Sequence, residues 1–166
     1  MQPADVLDLW ERLQAAGRWA ALDGGWGVDA LLGQMTREHA DVDVVVELER
    51  MPDILDALRP LGLTAAEDHR PTRLVLRAQD GRQVDLHPVT FDHDDTGWQA
   101  GAGPDGSDCP YPAEDFVTGQ VLGQPVGCIS AALQVAHHSG YEPGDVDRAD
   151  MARLAERFGL TLPHPY

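Results

Sequence analysis

Between Gly24 and Val46 the chain places a glycine pair, a short apolar segment, the cationic residues Arg37 and His39, and then Asp41-Val42-Asp43-Val44-Val45-Val46. The last run constrains the fold most. Val42, Val44 and Val46 alternate with Asp41 and Asp43, so in a strand of period two the valines enter a core and both carboxylates point the other way. Two like charges that close repel unless a cation sits between them. Converging oxygen ligands suit magnesium, which is typically held by one or two carboxylates together with substrate phosphates. The pattern therefore predicts a buried strand presenting a metal-binding edge, and metal-assisted chemistry on a nucleotide.

Composition narrows the chemistry further. All twelve basic residues are arginine, and there is no lysine. A Walker-type phosphate loop needs its lysine and Schiff-base chemistry needs an amine, so both are excluded. The formal net charge of −16 disfavours a nucleic-acid partner, whose binding depends on neutralising phosphates. It favours a cationic small substrate, although simple solubility explains it as well. Cys109 and Cys128 form no metal-ligand pattern and read as ordinary thiols. Met1 to Leu9 lack a basic leader and no apolar run reaches membrane-spanning length, so a cytoplasmic protein with no membrane partner is expected. The length of 166 residues suits one domain: a catalytic core over 1–90, a long loop and hairpin over 91–129, and C-terminal helices over 130–166.

Periodicity predicts a helix over Ala4 to Ala16, stopped by Gly17, and a short strand from Trp19 to Leu22 that runs into the Asp23-Gly24-Gly25 turn. A short helix from Gly25 to Leu32, the strand from Asp41 to Glu47 and a helix from Met51 to Leu61 follow. Arg73 to Ala78 and Arg82 to Val89 alternate on either side of Asp80-Gly81, a hairpin signal. In its second arm Val84 and Leu86 share one face and leave Gln83, Asp85 and His87 on the other, which supplies a third carboxylate. Phe91 to Pro112, rich in Gly, Asp and Pro, reads as a long surface loop. A second hairpin is expected over Phe116 to Ile129, then a helix capped by Ser130 and another from Asp147 to Phe158.

This order, with Asp23-Gly24-Gly25-Trp26-Gly27-Val28-Asp29-Ala30, Thr36-Arg37-Glu38-His39, Asp41-Val42-Asp43 and His138-Ser139-Gly140-Tyr141-Glu142 followed by Asp147 and Asp150, resembles the lincosamide nucleotidyltransferases and their aminoglycoside-modifying relatives. These belong to the DNA polymerase beta-type nucleotidyltransferase superfamily. The resemblance implies an α/β fold, with a central mixed sheet flanked by helices and a small C-terminal helical element. It also implies a homodimer, and magnesium-dependent transfer of a nucleoside monophosphate from a nucleoside triphosphate to an antibiotic hydroxyl, with pyrophosphate leaving. Asp41, Asp43 and Asp85 would hold two Mg2+ ions, and Asp85 would also act as general base.

The other assignments each have a plain structural counterpart. Gly24 and Gly25 let backbone amides at a helix N-terminus approach phosphates, or merely make a turn. Arg37 would bind the leaving pyrophosphate, or pair with Glu38. His39 would touch the triphosphate or orient the strand. Trp26 packs under the site or meets ligand; His87 orients Asp85 or is structural; His138 and Tyr141 line the substrate cleft or pack helices. Asp92-His93-Asp94-Asp95 is a solvated loop, or draws a substrate amine across a dimer cleft.

Two rival functions remain at this level. Gly25-Trp26-Gly27-Val28-Asp29-Ala30, with Glu47 ending the next strand, also fits a dinucleotide-binding fingerprint, but it leaves Asp41, Asp43 and Asp85 unexplained. The other rival keeps the fold as a protein-modifying or antitoxin-type nucleotidyltransferase, or as a silent nucleotide-binding module.

Overall fold

The computed structural model describes residues 1–139 and 141–166. Gly140 of the His138–Glu142 stretch lies outside the described residues. In chain order the elements are α1 (Pro3–Ala15), β1 (Ala20–Asp23), α2 (Gly24–Leu32), β2 (Val42–Glu47), α3 (Met51–Leu58), β3 (Thr64–His69), β4 (Arg73–Arg77), β5 (Gln83–Phe91), β6 (Gly97–Gln99), β7 (Cys109–Tyr111), β8 (Phe116–Val121), β9 (Gln124–Ile129), α4 (Ala131–His137) and α5 (Asp145–Phe158).

Helix boundaries follow local chemistry. Asp5 accepts the Gln2 amide to open α1, whose Val6, Leu9 and Leu13 are fully buried at helical spacing. Asp23 accepts the Gly24 amide at the start of α2, and Gly33 ends that helix in the left-handed region. The helix expected to run to Leu61 stops as an α-helix at Leu58 and tightens into a 3-10 turn over Arg59–Leu61, because Pro60 cannot donate to a continuing ladder. Ser130 caps α4 by accepting the Leu133 amide.

The strands make one mixed sheet in the order β3-β4-β5-β2-β1-β9-β8, with β6 pairing β5 and β7. β2–β5 and β1–β9 are parallel and the remaining pairs antiparallel. Alternation divides the sheet into two faces. Leu22, Val42, Val44, Val46, Leu74, Leu76, Val84, Leu86 and Cys128 join α1, Trp26 and α3 in the main core. Ala21, Val45, Val89 and Ile129 face the other way, against Tyr111 and Leu133, with Trp19, Phe91 and Phe116 around them. Burying a Val or Leu side chain contributes about 1.5–3 kcal/mol, so this division fixes the register; slipping β2 by one residue would bury its carboxylates.

Two parts of the fold depart from expectation. Phe91 to Pro112 is not loop throughout, since β6 and β7 pair within it and extend the sheet from the end of β5. β3 was not foreseen: its Thr-Ala-Ala-Glu-Asp-His run lies largely exposed at the sheet edge and has no apolar alternation. The C-terminal helices pack onto α2, with Val28, Ala131, Val135, Met151 and Leu154 buried together. Among the described residues, no helix is long and apolar enough to cross a membrane.

Candidate active site

Strand register brings three acidic residues into one line. Asp23 of β1 is paired with Asp43 of β2, which is paired with Asp85 of β5. Directly paired residues present side chains to the same face, so this row continues the sheet face that carries Ala21, Val45 and Val89. Asp41 immediately precedes β2 and adds a further carboxylate to the same group. Burial, then the negative charges of Asp43 and Asp85, raise the Asp41 pKa above its ordinary value.

Each carboxylate is held by donors of the chain. Arg73 pairs with Asp85 Oδ2, while Gln83 Nε2 donates to Asp85 Oδ1 at 2.9 Å and reaches Asp41 Oδ2 at 3.4 Å. His87 Nε2 lies 3.0 Å from Asp43 Oδ1. Burial opposes charge on His87, but its bond to Asp43 and the charges of Asp43, Asp23 and Asp85 outweigh that and raise its pKa. Behind His87, Gln99 Nε2 meets its Nδ1 at 2.9 Å and donates to the Thr72 carbonyl at 2.8 Å. The Tyr111 hydroxyl lies 3.0 Å from Gln99 Oε1 and 3.2 Å from Asp23 Oδ2. A continuous polar chain thus links Asp43 through His87, Gln99 and Tyr111 back to Asp23.

The glycine turn flanks this row. Gly24 has φ +53°, and a Cβ there would strike Asp43 Oδ2. At Gly25 a Cβ would come within 2.5 Å of both Arg37 Nη2 and His39 Nδ1. The absence of side chains at both positions therefore lets the carboxylate, the guanidinium and the imidazole all close on the α2 N-terminus. His39 is buried against Trp26, and its Nε2 lies 2.6 Å from Asp29 Oδ2. Asp29 Oδ1 accepts the Thr36 amide and hydroxyl, so one buried carboxylate shapes the loop carrying Arg37 and His39. The partner of the Arg37 side chain is Asp150 of α5, reached through Nε and Nη2 at 3.0 and 2.9 Å; only the Glu38 backbone carbonyl is engaged, not its side chain.

Beside the row opens a cleft of about 710 Å³, lined by residues that include Asp23, Arg73, His87, Gln99, Cys109, Tyr111, His137 and Tyr141. The structure puts His87 and Tyr141 on its wall. His138 is not among the lining residues: its Nδ1 bonds to the Gln134 carbonyl of its own helix at 2.8 Å, and His137 faces the cleft instead. Trp26 is buried in the core. Asp92 is tied up locally, accepting the Asp94 and Thr96 amides and the Trp98 indole N–H. Asp23, Gln99 and Tyr111 were not foreseen in the site. Asp23 had a sequence signal, since it directly precedes the glycine pair; Gln99 and Tyr111 had none, because β6 and β7 place them.

Hard oxygen donors of this kind suit magnesium, and Asp43 and Asp85 stand side by side on paired strands, with Asp41 immediately before the strand that carries Asp43. The donor set therefore fits a divalent cation. Among the described residues, however, no three His, Cys, Asp or Glu side chains stand in ready metal-holding geometry, and Arg73, Gln83 and His87 engage the carboxylate oxygens of the row.

A glycine-led helix N-terminus beside paired carboxylates, on a mixed sheet flanked by helices, defines a protein of the nucleotidyltransferase class. The chain belongs to the aminoglycoside-2''-adenylyltransferase family, whose model matches residues 5–154. It is 30% identical over 149 residues to a lincosamide resistance protein of Staphylococcus haemolyticus, covering 90% of this chain and 89% of that protein. With a 2''-aminoglycoside nucleotidyltransferase of Klebsiella pneumoniae it shares 33% identity over 110 residues, 66% of this chain and 56% of that one. Lincomycin-bound lincosamide antibiotic adenylyltransferase LnuA superposes with a TM-score of 0.81 at 26% identity, over 93% of this chain and 96% of LnuA. The same fold, at 18% identity and a TM-score of 0.73, occurs in ANT(2'')-Ia in complex with adenylyl-2''-tobramycin, over 95% of this chain and 90% of that one.

Proposed function

We propose that this enzyme transfers a nucleoside monophosphate from a nucleoside triphosphate to a hydroxyl of a lincosamide- or aminoglycoside-type antibiotic, releasing pyrophosphate in a magnesium-dependent reaction. The observation that carries the proposal is the in-register line of Asp23, Asp43 and Asp85 between the glycine turn and the cleft. Asp41, Asp43 and Asp85 would hold magnesium, which when bound neutralises phosphate charge and polarises the attacking oxygen. The amides at the start of α2 and the positive charge of Arg37, held in place by Asp150, orient the triphosphate. Asp85, once free of Arg73, accepts the proton of the acceptor hydroxyl at a carboxylate oxygen. His87 fixes Asp43, and Gln99 with Tyr111 fixes His87.

The cleft favours a lincosamide over an aminoglycoside. Among the described residues its one carboxylate is Asp23, beside the cationic Arg73, while His87 is held on Asp43 and Ala102, Pro104, Cys109, Tyr111, Ala136 and Tyr141 offer apolar surface. Such a wall suits an acceptor with a single amine on a partly apolar body; a polycation would leave most of its ammonium groups without partners. Mass spectrometry of lincosamides and aminoglycosides incubated with the enzyme, magnesium and mixed triphosphates tests both points. A lincosamide should gain one nucleoside monophosphate while pyrophosphate appears, and Asp43→Asn should reduce the rate by at least about a hundredfold. Labelling of no antibiotic, or full activity in the variant, would overturn the assignment.

A further inference from the structure

Arg73 stands at the start of β4, one strand outward from Asp85, and its side chain both lines the cleft and pairs with Asp85. The Asp85 side chain is only 4% exposed. A carboxylate so buried is strongly disfavoured without a cation or several donors around it. Its two oxygens are both taken, Oδ2 by Arg73 and Oδ1 by Gln83, and Asp43 Oδ1 is taken by His87. Each of these oxygens thus already has a nitrogen donor of the chain on it, in competition with a divalent cation. A guanidinium on Asp85 Oδ2 and a divalent cation bound to the same carboxylate repel one another, and the guanidinium takes a lone pair the cation would use.

We propose that Arg73 is the resident counter-cation of the carboxylate row, holding Asp85 where a divalent cation would bind and giving it up when that cation arrives. The inference rests on the reading of the row as a metal and nucleotide site. Arg73 is suited to leaving: its side chain is 40% exposed at the cleft wall, so a swing outward moves it into solvent rather than through packed core. Arg37 is differently placed, held through two nitrogens by a carboxylate that is itself buried. A permanent structural pair between Arg73 and Asp85 makes the opposite prediction, because removing Arg73 would then disorder a metal ligand and weaken the site.

Calorimetric binding of Mn2+ alone, without nucleotide, separates the two in the wild type, Arg73→Gln, Arg73→Lys and Asp43→Asn. Competition predicts that R73Q binds Mn2+ roughly tenfold more tightly than wild type, with R73K between them because lysine keeps the charge but not the planar fork. R73Q should also melt lower than wild type without metal and gain more from Mn2+. In wild-type protein labelled with 15N-arginine, the Arg73 Nε–H signal, assigned by its loss in R73Q or its absence in R73K, should shift when Mg2+ is added. Equal or weaker Mn2+ binding by R73Q and R73K, with D43N still impaired, overturns the counter-cation role alone. Absence of Asp43-dependent binding in every form overturns the metal site itself, and this inference with it.

Discussion

Asp43 shows how finely side-chain absence is used here: Oδ1 is bonded to His87 and Oδ2 lies over Gly24. Two glycine-to-alanine changes, one residue apart, should consequently differ in kind. At Gly24 a Cβ meets Asp43 and the backbone lies at φ +53°, where an alanine costs about 1–2 kcal/mol. G24A should therefore lower the melting temperature and abolish turnover together. Gly25 has no positive φ, and its Cβ would meet the ends of Arg37 and His39, the first held by Asp150 and the second by Asp29, so both would have to shift. G25A should lose less stability than G24A, having no positive φ to strain, while nucleotide KM rises about tenfold as Arg37 and His39 are displaced. Thermal melts and nucleotide titration of both variants provide the check; a G25A protein with unchanged nucleotide KM would remove Arg37 and His39 from the nucleotide site.

Elements with strong local patterns were legible in the chain, and those made by distant pairing were not. The valine alternation of β2, the Asp80-Gly81 hairpin and the Ser130 cap specify their own structure within a few residues. β3 lies exposed on one edge of the sheet, and β6 and β7 are three-residue strands stabilised by pairing with β5 and each other, so no local period announces them. The carboxylates on β2 and β5 were legible because alternation assigns their face. What holds them was hidden, since Arg73, Gln99 and Tyr111 arrive from other strands. The same limit applies to Arg37, whose partner comes from α5 at the far end of the chain. Asp150 is 3% exposed and bridges Arg37 through Oδ2 and Arg153 through Oδ1. Asp150→Asn removes the charge but keeps the shape, so destabilisation should stay near 1–3 kcal/mol, measurable by urea denaturation. Loss of the bidentate anchor should raise nucleotide KM several-fold while leaving acceptor KM unchanged. If acceptor KM moved instead, α5 would act on the cleft rather than on the turn.

At the scale of the whole molecule, 28 acidic residues against 12 arginines give a net charge of −16, far more than the site needs. Charge of that size has opposite consequences for the two proposed substrates: a cationic antibiotic is drawn toward the protein, and an anionic triphosphate is held off except where Arg37 and the α2 amides receive it. Salt distinguishes this global field from local contacts, because the screening length falls to about 8 Å near 0.15 M ionic strength. Contacts at hydrogen-bond distance, such as those Asp23 could make inside the cleft, are screened far less. If the summed charge steers the acceptor, raising sodium chloride from about 20 mM to about 300 mM should lower its kcat/KM several-fold. Over the same range, kcat/KM for the nucleotide, with magnesium held in excess, should stay level or rise. A neutral acceptor analogue should show no salt dependence. A flat response for the cationic acceptor would confine the attraction to the cleft, and the acidic surface would then serve solubility alone.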